Sequence, residues 1–300
     1  MLAAALLFST GGAAIKATAL TSWQVASFRS GVAALALLVL LPGSRRLLRY
    51  GWRIAGVGAA YGATLTLFAI STKLTTAANT IFLQSTAPLY VLALAPWLLG
   101  ERVRRRELAY MAALAVGLAM FFVGQRPPDA LAPDPLLGNV LAAASGLTWA
   151  LTLLGLRALG RGGQAEGEAG RGEAGEEDAA AADAGPAAVL AGNLFAFAVG
   201  LPMALPVARV ELADLALLAF LGVFQIALAY AFLTRALRRV GAFEASLLLL
   251  IEPVLNPVWT WLVHGEQPGP WGLAGGVVIL AATLLKTALD ARRARAASPS

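Results

Sequence analysis

Apolar residues run along the chain in ten blocks, at 2–20, 23–42, 51–72, 77–99, 106–124, 136–157, 186–206, 213–234, 241–263 and 269–288. Each block is near the roughly 20 residues that an α-helix needs to cross a bilayer. Turn formers separate them: Pro42-Gly43, Gly100-Glu101, Pro127-Pro128, Pro206 and Gln267-Pro268-Gly269-Pro270. The pattern predicts an all-α membrane protein of ten transmembrane helices. Such helices use about 200 residues and leave about 100 of the 300 for connections, too few for a large soluble domain. Leu2 to Ile15 resembles a signal-peptide core, yet no basic segment precedes it and no cleavage-like site follows. It is therefore read as the first span.

Composition agrees with the pattern. Apolar types make up 59% of the chain and charged types 13%, against roughly 25% charged in a soluble domain, which excludes a water-soluble globule. With no cysteine, disulfides and thiolate chemistry are excluded. With one histidine, His264, no transition-metal site is expected, and no cofactor. The formal charge of +6 is an orientation signal rather than a nucleic-acid one, because short cytoplasmic loops retain Lys and Arg. Placing the N-terminus inside gives the inner side 18 basic residues, in the clusters Arg45 to Arg53, Arg102 to Arg106, Arg157 to Arg171, Arg235 to Arg239 and Lys286 to Arg295. The outer side receives Lys16, Lys73, Arg126 and Arg209, and Arg29 lies within the second span. Both termini are expected in the cytoplasm, and the chain in a bacterial inner membrane.

One segment, 160–186, departs in composition: it is rich in Gly, Ala and acid, with seven carboxylates and two arginines. It reads as a flexible cytoplasmic loop joining two halves. An internal repeat defines those halves. An offset of 165 superposes Pro88 on Pro253, Gly100-Glu101 on Gly265-Glu266 and Lys73 on Arg238; an offset of 139 superposes Leu2 to Ala5 on Leu141 to Ala144. Five spans is an odd number, so the second copy (126–300) must enter the membrane upside down relative to the first (1–125). The loops agree: the Arg102 to Arg106 cluster corresponds to Gln267 to Pro270, which has no basic residue. Inverted repeats that meet at a central site are the architecture of alternating-access carriers.

Several enzyme and pump chemistries lack their parts. There is no GxxxxGK[ST] loop, no HExxH and no GxSxG. A membrane-bound lipid-modifying enzyme, the alternative of another class, would want Asp or His clusters near the headgroups. The outer loops offer only Asp129, Asp134, Glu211, Asp214 and Glu266.

Polar and aromatic residues inside the spans are the candidate binding residues. Trp23, Trp52, Trp97, Trp259, Trp261 and Trp271 fall near span ends, where indoles suit the interface. Trp149, Tyr61, Tyr90 and Tyr230 lie well inside, where a ring with a polar tip needs a partner or a polar lumen; a core tyrosine bonded to a carbonyl is the bland reading. At helical spacing Asn79, Thr86 and Tyr90 share one face of span 4, and Tyr61, Thr64 and Phe68 one face of span 3. Glu252 is the carboxylate deep in the membrane and shares a face with Asn256. It reads as a proton or ammonium site, or as a neutral carboxyl bonded to backbone that Pro253 and Pro257 loosen. Arg29 could meet a substrate carboxylate or serve structurally. The small-residue pairs Gly58/Gly62 and Gly272/Gly276 permit close helix packing, so a monomer is expected.

Together, Ala26-Ser27-Phe28-Arg29, Ser85-Thr86-Ala87-Pro88, Leu250-Ile251-Glu252-Pro253, the paired Gly-Glu ends and the mid-span Trp149 resemble the drug/metabolite transporter superfamily, EamA family. Within it the chain is most similar to the YddG-type exporters of aromatic amino acids and methyl viologen. The resemblance implies ten helices around a cavity lined by spans 1, 3, 4, 6, 8 and 9. It also implies a small-molecule substrate, an aromatic or neutral amino acid, exported by alternating access without enzymatic activity. Cationic drugs or other metabolites exported by proton antiport are the alternative. In the first half Ala87 stands opposite Glu252 and Thr10 opposite Trp149. With no paired acid, Glu252 is not expected to be an obligatory proton-coupling group.

Overall fold

The computed structural model describes residues 1–41, 44, 45, 51–100, 103, 105–123, 127–169, 174–237 and 247–297, and among these no strand occurs. In chain order the helices are α1 (Leu2–Ser9), α2 (Gly11–Ala17), α3 (Ser22–Leu40), α4 (Gly51–Leu74), α5 (Ala77–Gln84), α6 (Ala87–Leu99), α7 (Arg105–Val123), α8 (Pro135–Ala169) and α9 (Ala174–Ala204). Then come α10 (Leu212–Ala219), a π-helical segment (Phe220–Leu228), α11 (Ala229–Leu237), α12 (Ile251–His264) and α13 (Pro270–Ala297). Among the described residues, eight helical segments are long and apolar enough to cross a membrane: Ser22–Leu40, Ile54–Leu74, Ala77–Leu99, Pro135–Leu159, Gly185–Ala204, Leu212–Ala236, Leu247–His264 and Pro270–Arg293. Two shorter apolar helices are Leu2–Ala17 and Glu107–Val123. Their outer faces stay apolar, with Trp97 87% and Leu212 84% exposed, as lipid contact requires and water forbids.

Local sequence explains the helix ends. Thr21 starts α3 with a reciprocal cap, its side chain accepting from the Gln24 amide while Gln24 accepts from the Thr21 amide. Both α6 and α12 stop at a glycine with φ +66°, Gly100 and Gly265, a left-handed conformation that a Cβ disfavours. Between these ends, three apolar runs are broken. At Thr10 the amide and hydroxyl both donate to the Leu7 carbonyl, at Thr86 both donate to Leu83, and the Leu250 amide donates to Leu247. Each is a tight turn between two helical pieces. Pro88 and Pro253 sit in the first turn after a break, where a missing N–H costs nothing.

Small residues bring the helices together. α4 packs along α8 and α9, and α3 along α9 and the π segment. Gly58 and Gly62 face Ala191, Gly192 and Phe195 so closely that a Cβ on Gly192 would lie 2.4 Å from Tyr61 Cδ1. Outside them α7 pairs with α13, where Gly117 and Gly275 approach each other's backbone. The small-residue pairs are thus used within the chain. A core of Ile15, Val25, Phe82, Leu114, Phe121 and Ile279 joins the first and second halves.

One end of the bundle is sealed by polar contacts. Lys16 Nζ and Glu266 Oε2 form an ion pair of 2.8 Å with side chains 4% and 2% exposed. Lys16 also donates to the carbonyls of Thr75, at 3.0 Å, and Leu131. Glu266 Oε1 accepts from the Ala77 amide at 2.7 Å. Beside them Lys73 donates to the Thr18 carbonyl and Asp214 accepts from the Ala19 amide.

Two differences from the sequence reading stand out. Helix occupies 160–169 and 174–186, where composition predicted a loop; its Ala and Glu are strong helix formers, which outweighs the glycines. Trp259, expected in the interfacial belt, instead donates from its indole to Ser9 Oγ at 2.9 Å. Its place one turn from the span end turns it inward across the bundle. Arg46, Arg49, Arg102, Arg104, Arg126, Arg171, Arg238 and Arg239, used in the charge count, and Glu101 of the first Gly-Glu pair lie outside the described residues.

Candidate functional site

A cavity of about 260 Å³ opens where α1, α3, α4, the end of α5, α8, the π segment, α11 and the start of α12 converge. Its position follows from the broken helices. Phe8 precedes the Thr10 turn, Gln84 precedes the Ser85-Thr86 turn, and Leu249 and Glu252 flank Leu250; all four line the cavity. Irregular backbone at membrane depth is tolerated only when buried in protein or facing a wet lumen.

Aromatic rings form one wall. Tyr61 meets Tyr230 edge-on with ring centroids 5.9 Å apart, and Trp149 at 5.9 Å with a 51° tilt. Phe8 and Tyr230 meet in a T-shaped arrangement with ring centroids 5.1 Å apart. Offset and edge-on arrangements of this kind contribute about 0.5–1.5 kcal/mol each beyond burial. Gly192 makes the Tyr61 position possible by giving it room at the α4–α9 contact.

Polar groups complete the lining. Thr64 Oγ1 lies 2.9 Å from the Ala60 carbonyl oxygen and 2.8 Å from Thr148 Oγ1, and Gln84 Nε2 donates to Ser145 Oγ at 3.3 Å. Arg29, 1% exposed, donates from Nη2 to the Leu65 carbonyl at 2.7 Å while its Nε has no partner. Gln225 donates weakly from Nε2 to the Phe8 carbonyl at 3.5 Å, and its Oε1 has no partner. Gln225 lies in the π segment, a rare geometry that is frequent at functional sites. Among the described residues Glu252 makes no hydrogen bond or ion pair.

Of the residues singled out from sequence, Tyr61, Trp149, Tyr230 and Glu252 lie together on this cavity. The others lie elsewhere. Asn79 donates to Asn139 Oδ1 at 3.1 Å, in a smaller hollow with Thr75 and Phe121. Thr86 and Thr10 spend their hydroxyls on the helix breaks. Tyr90 packs in an apolar cluster against α8 beside Gly146. Asn256 is fully buried and faces Gly12, where a Cβ would come within 2.5 Å of its Oδ1. Gln84 and Gln225 were not singled out from sequence; a lone amide in an apolar run was their only signal. His264 Nε2 lies 2.9 Å from the Ala13 carbonyl. Among the described residues no three His, Cys, Asp or Glu gather as a metal site would need.

A bundle of apolar helices around a cavity lined by aromatic, polar and aliphatic side chains defines a multi-pass membrane protein. The chain matches the model of the EamA-like transporter family over residues 1–123 and 180–287, and it belongs to that family of membrane transporters, part of the drug/metabolite transporter superfamily. The family assignment points to a transporter. No curated protein matches it. Thirteen chains of solved structures do, and one crystal structure of a protein is similar with a TM-score of 0.58 over 97% of this chain and 96% of that one, at 19% identity. At that identity the likeness concerns the fold.

Proposed function

We propose that the protein exports amino acids, aromatic or otherwise neutral, across a bacterial inner membrane by alternating access around the central cavity. In this reading the two shorter apolar helices also span, giving ten spans in two inverted five-helix repeats, 1–125 and 126–300. The matching left-handed ends at Gly100 and Gly265, 165 residues apart, support the repeat. The two termini and the acidic connection lie in the cytoplasm, as the 18 to 4 bias of basic residues argues. The observation that carries the substrate class is the wall of Phe8, Tyr61, Trp149 and Tyr230 around a cavity of about 260 Å³. That is close to the lower end of the roughly 300–1,000 Å³ usual for small-molecule sites.

Uptake of a panel of radiolabelled amino acids into proteoliposomes, without added cofactor, tests the reading. Saturable, gradient-driven flux of aromatic members is expected, and absence of flux for every member refutes it. Reporters fused at the C-terminus or inserted near Gly170 should register cytoplasm; a periplasmic signal from either refutes the ten-span topology. A second reading, export of cationic drugs by proton antiport, is favoured by the unpaired Glu252 among aromatic rings. Flux of methyl viologen that requires an imposed proton gradient, with none for amino acids, would establish it instead.

A further inference from the structure

The cavity holds two opposite charges that do not meet. Arg29, from α3, and Glu252, from α12, both line it, yet among the described residues neither forms an ion pair. The Arg29 side chain is buried, held by a single carbonyl, and leaves its Nε without a partner. A buried guanidinium with an unused N–H is costly unless a carboxylate or water completes it. The same cavity is lined by two acceptors without donors, the Glu252 carboxylate and Gln225 Oε1. Tyr61 lines the same cavity as Arg29 and Glu252.

We infer that Arg29 and Glu252 are the two poles of a zwitterion site. The guanidinium receives the α-carboxylate of the substrate, Glu252 with Gln225 Oε1 receives its α-ammonium, and the aromatic wall takes the side chain. This rests on the amino-acid reading and adds what discriminates within it. A ligand carrying both charges completes every unused group. An amine leaves Arg29 unmatched and an acid leaves Glu252 unmatched, and an unmatched buried group is what gives a polar site its selectivity. Charge-assisted contacts of this kind are each expected to be worth about tenfold or more in affinity.

The test uses purified protein in proteoliposomes and three competitors of one labelled aromatic amino acid: L-tryptophan, tryptamine and indole-3-propionate. The parent should prefer tryptophan to each analogue by about tenfold or more. Arg29→Gln should abolish the preference over tryptamine and keep that over indole-3-propionate; Glu252→Gln should do the reverse, and Gln225→Leu should weaken the same arm. Equal loss for all three competitors in Arg29→Gln would make Arg29 structural and overturn the assignment. A parent that binds tryptamine as well as tryptophan overturns it without any variant, so misfolding of Arg29→Gln leaves the proposal decidable. Failure of the parent to carry any amino acid refutes the broader reading instead. Flux with unsorted analogues refutes the zwitterion site alone.

Discussion

Replacing Lys16 by Met should destabilise the protein more than any single surface change, because it strands Glu266. The pair is 2.8 Å long, with side chains 4% and 2% exposed. Lys16 also satisfies the Thr75 and Leu131 carbonyls, and Glu266 keeps only the Ala77 amide when Lys16 is gone. Breaking a buried pair by removing one partner costs about 3–5 kcal/mol, chiefly from the uncompensated charge. The double variant Lys16→Met/Glu266→Gln removes both charges and retains an acceptor for the Ala77 amide. Its cost should fall to about 1–3 kcal/mol, the worth of the lost hydrogen bonds to two carbonyls. The double variant should therefore cost less than the two single costs added, by about 2 kcal/mol or more. Equilibrium unfolding in mixed micelles titrated with denaturing detergent reads all four states of the cycle. Additive single costs, or a Lys16→Met cost under about 1 kcal/mol, would refute a desolvated pair and make this a solvent-screened contact.

Three further outcomes are expected. Gly192→Ala places a Cβ 2.4 Å from Tyr61 Cδ1 and 3.0 Å from the Gly58 carbonyl, so it should cost about 1–3 kcal/mol by overpacking, and unchanged thermal stability in detergent would refute the close α4–α9 approach. Trp149→Ala should impair flux of an aromatic substrate far more than protein abundance, and equal loss of both would reduce the ring to core packing. Glu252→Gln should retain gradient-driven uptake, at a raised half-saturation, with weak dependence on pH; proton-gradient stimulation in the parent that disappears in the variant would place Glu252 in an antiport cycle.

Run length and polarity were enough to mark where the apolar helices lie, because lipid contact demands an uninterrupted apolar face and turns demand Pro and Gly. The same signal is blind to breaks inside a run. Asn79, Thr86 and Tyr90 share a face only if the helix is continuous, and the turn at Ser85-Thr86 sends Asn79 to Asn139 and Tyr90 to α8. Pro88 was the available clue. Tyr61, Trp149, Tyr230 and Glu252 were legible as deep polar-tipped residues, whereas their meeting on one cavity depends on helix order. Gln225 was not legible, since nothing in Phe220 to Leu228 distinguishes π from α geometry. Lys16 and Glu266 are 250 residues apart, and no local pattern pairs them. The described stretches 160–169 and 174–186 are helical because alanine's helix propensity outweighs glycine and charge there.

The π segment has a mechanical corollary. Hydrogen bonds from residue i to i+5 wind one more residue into each turn than an α-helix does. Relaxing a turn of it to α geometry while Asp214 stays bound to the Ala19 amide would turn every later residue by roughly 100° about the axis. Tyr230 and Leu233 would then rotate off the cavity wall together, while Arg29 and Tyr61, on other helices, would stay. The span that supplies Gln225 thus contains its own screw thread, one whose pitch sets which face of α11 the chamber sees.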